Sequence, residues 1–334
     1  MFFKGHRANG HVTVHAYALT TIDKDLFFWP QVPVIEFGHK FRLQRLVPEI
    51  NLGGIMDKFN QIQDYGKFAP HIERTHWELV VDEKDWEDVE VGNGIRFVDL
   101  SDDDKIACIN GAVSILLTLI RLKGCYQFIV PMMIHNSSFS KIHSAENGSI
   151  TAHFFPQQNL IQPMMPPVIP HILDHDDIEW IMKHHVTLGK IFHEGRKDFL
   201  IDIFDTMVYP NPKVQLVITW AAIEAIVQPE KDEENETGIR HSLRSRCSMI
   251  LCESVDEQME KYKEIGKLYD LRSDAVHGKD LSLDEEDYTI DDVWGLVDSF
   301  SLLKDLLISI IEKGDMPTIA QLRDLQTEFN TTHY

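Results

Sequence analysis

Arg272 and His277 stand five positions apart in LYDLRSDAVHGKD, residues 268–280, and Gly278 follows the histidine directly. A histidine titrating near neutrality can take the proton of a 2'-hydroxyl or deliver one to a leaving 5'-oxygen. An arginine's planar fork can hold the phosphate and stabilise charge in the transition state. Together they suit cleavage of RNA without a metal. Ser273 and Asp274, in the turn before the histidine, are candidates for orienting it. A competing reading needs no chemistry: Arg272 pairs with a carboxylate such as Asp270 or Asp274, and His277 is a histidine at a helix end. With 17 histidines in 334 residues, an Arg-x4-His spacing arises by chance roughly 0.6 times. Its weight must therefore come from context.

The element that carries the pair reads as an amphipathic helix over about 256–277. Ile265, Leu268, Leu271 and Ala275 fall on one stripe, whereas Asp270, Ser273, Asp274 and His277 fall away from it. Gly278 supplies the residue that most readily ends a helix. His277 is thus expected in the last turn, where the helix dipole favours the imidazolium. Residues five apart on a helix are separated by about 140° in projection, so one chain makes a poor cleft from this pair. Two copies packed with this helix end at a two-fold axis would bring two Arg and two His into one groove. The chemistry therefore predicts a homodimer.

The rest of the chain must supply the scaffold. From Phe2 to about Leu100, segments such as HVTVHAY, FFWPQVPVIEFGHKFRLQRLV and HWELVV favour strands. SDDDKIACINGAVSILLTLIRLKG then reads as a capped helix, buried rather than membrane-spanning, and CYQFIVPMMIH and SITAHFF as further strands. Residues 156–170 hold five of the chain's 14 prolines and read as a linker. Beyond it helix follows helix: 174–209 as one long or broken helix, then 212–228, 238–253, 256–277, 287–313 and 316–329. The expected fold class is α+β, with a mixed, strand-rich domain over 1–155, a Pro-rich linker over 156–173 and an all-α bundle over 174–334.

The formal net charge of -21 opposes broad attachment to nucleic acid or anionic lipid, so any RNA role must rest on a local site. Acidic runs at 230–236 and 280–292 flank a window, Gly238 to Lys279, with eight Lys and Arg against seven Asp and Glu. Within it Arg240 and Arg244, one turn apart, could form an RNA-facing strip, with Lys279 as a further contact. Pairing of both arginines with the acidic run at 230–236 is the equal alternative.

A helix bearing AAIEAIV (221–227), an acidic segment, a helix RHSLRSRCSMIL and a helix finishing LYDLRSDAVHG resemble the HEPN superfamily, and within it the ApeA-like HEPN domains. The likeness spans roughly 175–330, and the specific part is Leu268 to Gly278. It implies a dimeric, metal-independent endoribonuclease acting in toxin, phage-defence or RNA-processing settings, on RNA such as tRNA. Arg272 and His277 then match the catalytic pair, Ser273 the polar position where Asn is frequent, and Glu224 the acidic residue of an earlier core helix. Some members keep the fold without cleaving RNA. A non-catalytic module for dimerisation, RNA binding or partner binding is therefore the alternative. The N-terminal half resembles no family and is a candidate for binding a regulator or trigger.

Other constellations lead elsewhere. His171, His175, His184, His185 and His193 lack HExxH or cysteine company, so neither a metal nor another cofactor is expected. GNGI at 92–95 reads as a hairpin turn rather than a phosphate loop. Four scattered cysteines and an N-terminus without a long apolar core point to a reduced, cytoplasmic location.

Overall fold

A computed structural model describes residues 14–21, 34–46, 75–91, 94–123, 128–130, 132–144, 150–154, 173–195, 212–228, 238–277 and 290–334. The fold is α+β, an antiparallel sheet followed by helices. It divides into two compact units, Met1–Leu160 with Ile169–His185, and Ile161–Val168 with Val186–Tyr334.

Among the described residues the first unit has seven strands: β1 (Val14–Thr21), β2 (Val34–Phe37), β3 (Phe41–Arg45), β4 (Thr75–Asp82), β5 (Phe128–Ile129), β6 (Met132–His135) and β7 (Thr151–Phe154). Their order is β2-β3-β4-β1-β6-β7, with β5 beside β1, and every pairing is antiparallel. Alternation sends Ala16 and Ala18 of β1 into a core with Val80, Met132, Ile134, Phe139 and Ile142. Tyr17, on the opposite face of β1, donates its hydroxyl to Asn110 Oδ1 at 2.6 Å, tying helix α1 (Asp102–Leu122) to the sheet. Ser101 caps α1 by accepting from Asp104 N at 3.3 Å. By length and composition α1 could cross a membrane, and half of its most apolar window is buried. Residues 92 and 93 of the expected turn lie outside the described residues; beside them Val91 N donates to Ile95 O at 2.7 Å and Gly94 has φ +74°.

The expected bundle begins at 174; in the division into compact units, residues 175–185 of helix α2 (His175–Gly195) fall with the first unit. Two of their polar side chains bond within it. Asp177 accepts from Lys123 Nζ at 2.9 Å, and His185 Nε2 lies 2.9 Å from the Ala112 carbonyl. Residues 155–172, which hold nearly all of the expected linker, lie outside the described residues.

All described elements of the second unit are helical: the end of α2, then α3 (Pro212–Val227), α4 (Ile239–Leu251), α5 (Val255–His277), α6 (Ile290–Lys313) and α7 (Ile319–His333). The last runs four residues beyond the expected 329, and 196–211 fall outside the described residues. Pro212 opens α3, where its missing N–H costs nothing, and Thr318 with Gln321 forms a reciprocal capping box on α7. Leu243, Ile265, Leu303, Leu306 and Ile311 are among the buried side chains at its centre. Arg246 is only 1% exposed. It donates Nη1 to Val227 O at 3.1 Å and to Gln228 O, and Nε to Gln326 Oε1 at 3.1 Å, so it closes the C-terminus of α3.

Candidate functional site

Two rungs join α3 to α5. On the first, Trp220 and Tyr269 meet edge to face, 5.4 Å between ring centres. Trp220 is fully buried and donates Nε1 to Ser299 Oγ of α6 at 3.1 Å, so the rung is anchored on a third helix. One turn further along both helices, Arg272 Nη2 lies 3.1 Å from Glu224 Oε1, with side chains 22% and 27% exposed. The Arg272 guanidinium carbon also stands 5.5 Å from the Tyr269 ring centre. A β-carbon at Gly295 of α6 would lie 2.4 Å from Leu271 Cδ1. Glycine at 295 therefore lets α6 lie against α5 beside the arginine.

Arg272 is held without being saturated. A guanidinium carries five N–H donors, and Arg272 Nε is buried with no hydrogen-bond partner. A charged donor left unpaired in a half-buried setting is costly unless an anion completes it. The arrangement can receive an oxyanion beside Glu224. The local carboxylates Asp270 and Asp274 are not the partners of Arg272: Asp270 takes Arg240 at 2.5 Å, and Asp274 is engaged elsewhere.

Ser273 and Asp274 are half-buried. His277 is the last described residue of α5, as the reading of this helix required. Its side chain, Gly278 and Lys279 lie outside the described residues. Arg272 and Glu224 are thus brought together, while the groove expected between two copies involves a second chain. Tyr269 and Trp220 were not singled out from sequence. The signal was there: an aromatic one turn before Arg272 and another one turn before Glu224.

Arg240 and Arg244 both lie against α5. Arg240 Nη2 bonds Asp270 and the Gly266 carbonyl, at 2.5 and 3.2 Å. Arg244 donates Nε to the Tyr262 carbonyl at 2.8 Å and stacks on that ring. The carboxylate that takes Arg240 comes from α5; residues 229–237 lie outside the described ones.

Among the described residues no group of three or more His, Cys, Asp or Glu could hold a metal ion. His175 pairs with Glu179 at 3.2 Å, and His184 meets the Trp180 ring. The side chains of His171 and His193 lie outside the described residues. Cys108, Cys247 and Cys252 are free thiols, and burial pushes the Cys247 thiol far above its ordinary range. Comparison with protein-family models, with curated proteins and with solved structures finds no match to this chain.

Proposed function

We propose that the protein is a metal-independent endoribonuclease of HEPN type, with Arg272 and His277 acting in a groove shared by two copies. The observation that carries the reading is the half-buried Arg272, fixed by Glu224 at 3.1 Å and by the Tyr269 ring, with its Nε still lacking an acceptor. Support also comes from the helix that carries it, which continues to His277.

In the proposed reaction the 2'-oxygen attacks the adjacent phosphorus and the bond from phosphorus to the 5'-oxygen breaks. One imidazole takes the 2'-proton, and a protonated imidazole supplies the proton to the leaving oxygen. Arg272 binds the non-bridging oxygens as their charge grows. Glu224 keeps the guanidinium plane in place, so little ordering is left to the reaction step. Ser273 and Asp274 have auxiliary, orienting roles. The setting proposed is cytoplasmic, as a toxin or an anti-phage defence protein, with tRNA as a substrate to try first. Regulation would fall to the first unit.

The test is incubation of the full chain with tRNA in excess chelator. Products ending in 2',3'-cyclic phosphate and 5'-hydroxyl, formed at a rate that rises steeply with protein concentration around dimerisation, are expected. Products with 5'-phosphate, or activity abolished by chelation, would exclude the mechanism.

A second reading is a non-catalytic module that uses the same bundle for dimerisation or partner binding. The Arg272–Glu224 ion pair favours it, because such a pair also serves as a fixed inter-helix link. A folded dimer that leaves every RNA tested intact supports this reading.

A further inference from the structure

Arg244 lies on α4 and reaches across to α5. Its Nε donates to the Tyr262 carbonyl at 2.8 Å, and its Cζ stands 3.7 Å from the centre of the Tyr262 ring. A β-carbon at Gly266 would come within 2.7 Å of Cζ, 2.8 Å of Nε and 2.9 Å of Nη2. The guanidinium therefore lies flat on the α5 backbone, at a place where only glycine leaves room. Glycine within a helix weakens it, so the open floor under Arg244 comes at a cost to α5.

The ring, the carbonyl and the glycine floor fix this guanidinium while using one of its five N–H donors. No carboxylate among the described residues pairs with it. Arg244 as a whole is only half-buried. Arg240 differs, since Asp270 at 2.5 Å neutralises it and the Gly266 carbonyl takes a further bond at 3.2 Å. The window 238–279 around them carries one excess positive charge in a chain of net charge -21.

We propose that Arg244 is a preformed contact for one phosphodiester of single-stranded RNA, and that Arg240 braces the α4–α5 shelf without touching the ligand. The RNA class rests on the function proposed above. A planar fork that has spent only Nε on the protein can offer its Nη groups to two phosphate oxygens, and holding it in place beforehand removes most of the ordering cost of binding. On α5, Gly266 precedes Arg272 by six residues, about 9 Å of helix rise and about 240° of turn. Arg244 is therefore a binding contact apart from the reacting phosphate.

The experiment measures binding of labelled oligouridylate to the full-length protein over a range of KCl concentrations, in a His277→Ala background that prevents turnover. Arg244→Gln is expected to lower the log–log salt slope by about 0.7, the value for one single-strand phosphate, and to weaken binding several-fold. Arg240→Gln leaves the slope unchanged. Gly266→Ala adds a helix-favouring residue yet displaces the guanidinium, so it should weaken binding without lowering the urea midpoint. An unchanged slope in Arg244→Gln, full-strength binding in Gly266→Ala, or no binding by the parent overturns the proposal. Cleavage is assayed separately with His277 intact. An Arg244-dependent slope without cleavage removes only the nuclease reading, and cleavage with an Arg244-independent slope removes only this one.

Discussion

Glu224 reaches Arg272 from a helix 48 positions earlier in the chain, which is why the pair could not be found from local spacing. Asp270 and Asp274 stand two positions from Arg272, on the far side of the helix, where a side chain cannot fold back to meet it. Nothing in the spacing around Arg272 points to Glu224 as its partner. With both side chains about a quarter exposed, solvent screens the pair. Glu224→Gln should cost about 1 kcal/mol in urea unfolding, the upper end for a solvent-screened ion pair. Its larger effect is expected in kcat, because the arginine loses its fixed plane. A second prediction concerns His185, whose pKa is lowered, first by burial, against the bond to the Ala112 carbonyl, and further by the nearby Lys40 charge. The folded pKa therefore lies below the unfolded value of about 6.5, and the unfolded chain binds the proton first. The stability this group contributes is complete above about pH 6.5 and is lost as pH falls through its folded pKa. Urea midpoints followed from neutral to mildly acidic pH should decline in the wild type and decline less in His185→Gln; equal slopes would contradict the assignment.

At the scale of elements, most helices could be read because their ends carry their own chemistry. Ser101 caps α1, Pro212 starts α3 and Thr318 boxes α7, each through groups within four residues of the helix end. What joins the elements was less legible. Arg246 shares α4 with Arg240 and Arg244, yet it alone of the three is buried, at the end of α3. A sequence cannot say which arginine of a helix turns inward when the acceptors are carbonyls of a different helix. Removing this charge should leave Val227 O and Gln326 without partners. Arg246→Met is expected to cost about 3 kcal/mol, read as a lower urea midpoint with an unchanged m-value. Gly295→Ala makes the complementary test of packing. Alanine favours a helix by about 1 kcal/mol, yet its β-carbon would lie 2.4 Å from Leu271. Net destabilisation of about 1–2 kcal/mol is expected from overpacking. A stabilised variant would mean that Leu271 moves aside freely and that α6 does not fix Arg272's neighbour.

Over the whole molecule, the α+β class and the change from strands to helices were legible because period-2 and period-3.6 patterns occupy separate stretches of the chain. Helix α2 is one continuous helix, and Asp177 and His185 on its first half bond to groups of the first unit. A net charge of -21 confines any RNA contact to places such as Arg244 and Arg272, and self-repulsion of that size makes dimerisation depend on salt. Sedimentation equilibrium at physiological salt should give a dimer, and Arg272→Ala should leave that dimer intact. The proposed function requires that Arg272 and His277 cleave RNA. The measurement that bears on it most directly is the rate of tRNA cleavage in excess chelator by the wild type and by His277→Ala at equal dimer concentration. Loss of a general acid–base predicts a fall of about 100-fold or more in the variant, with the wild type unaffected by chelator. Equal rates in the two proteins would contradict the account.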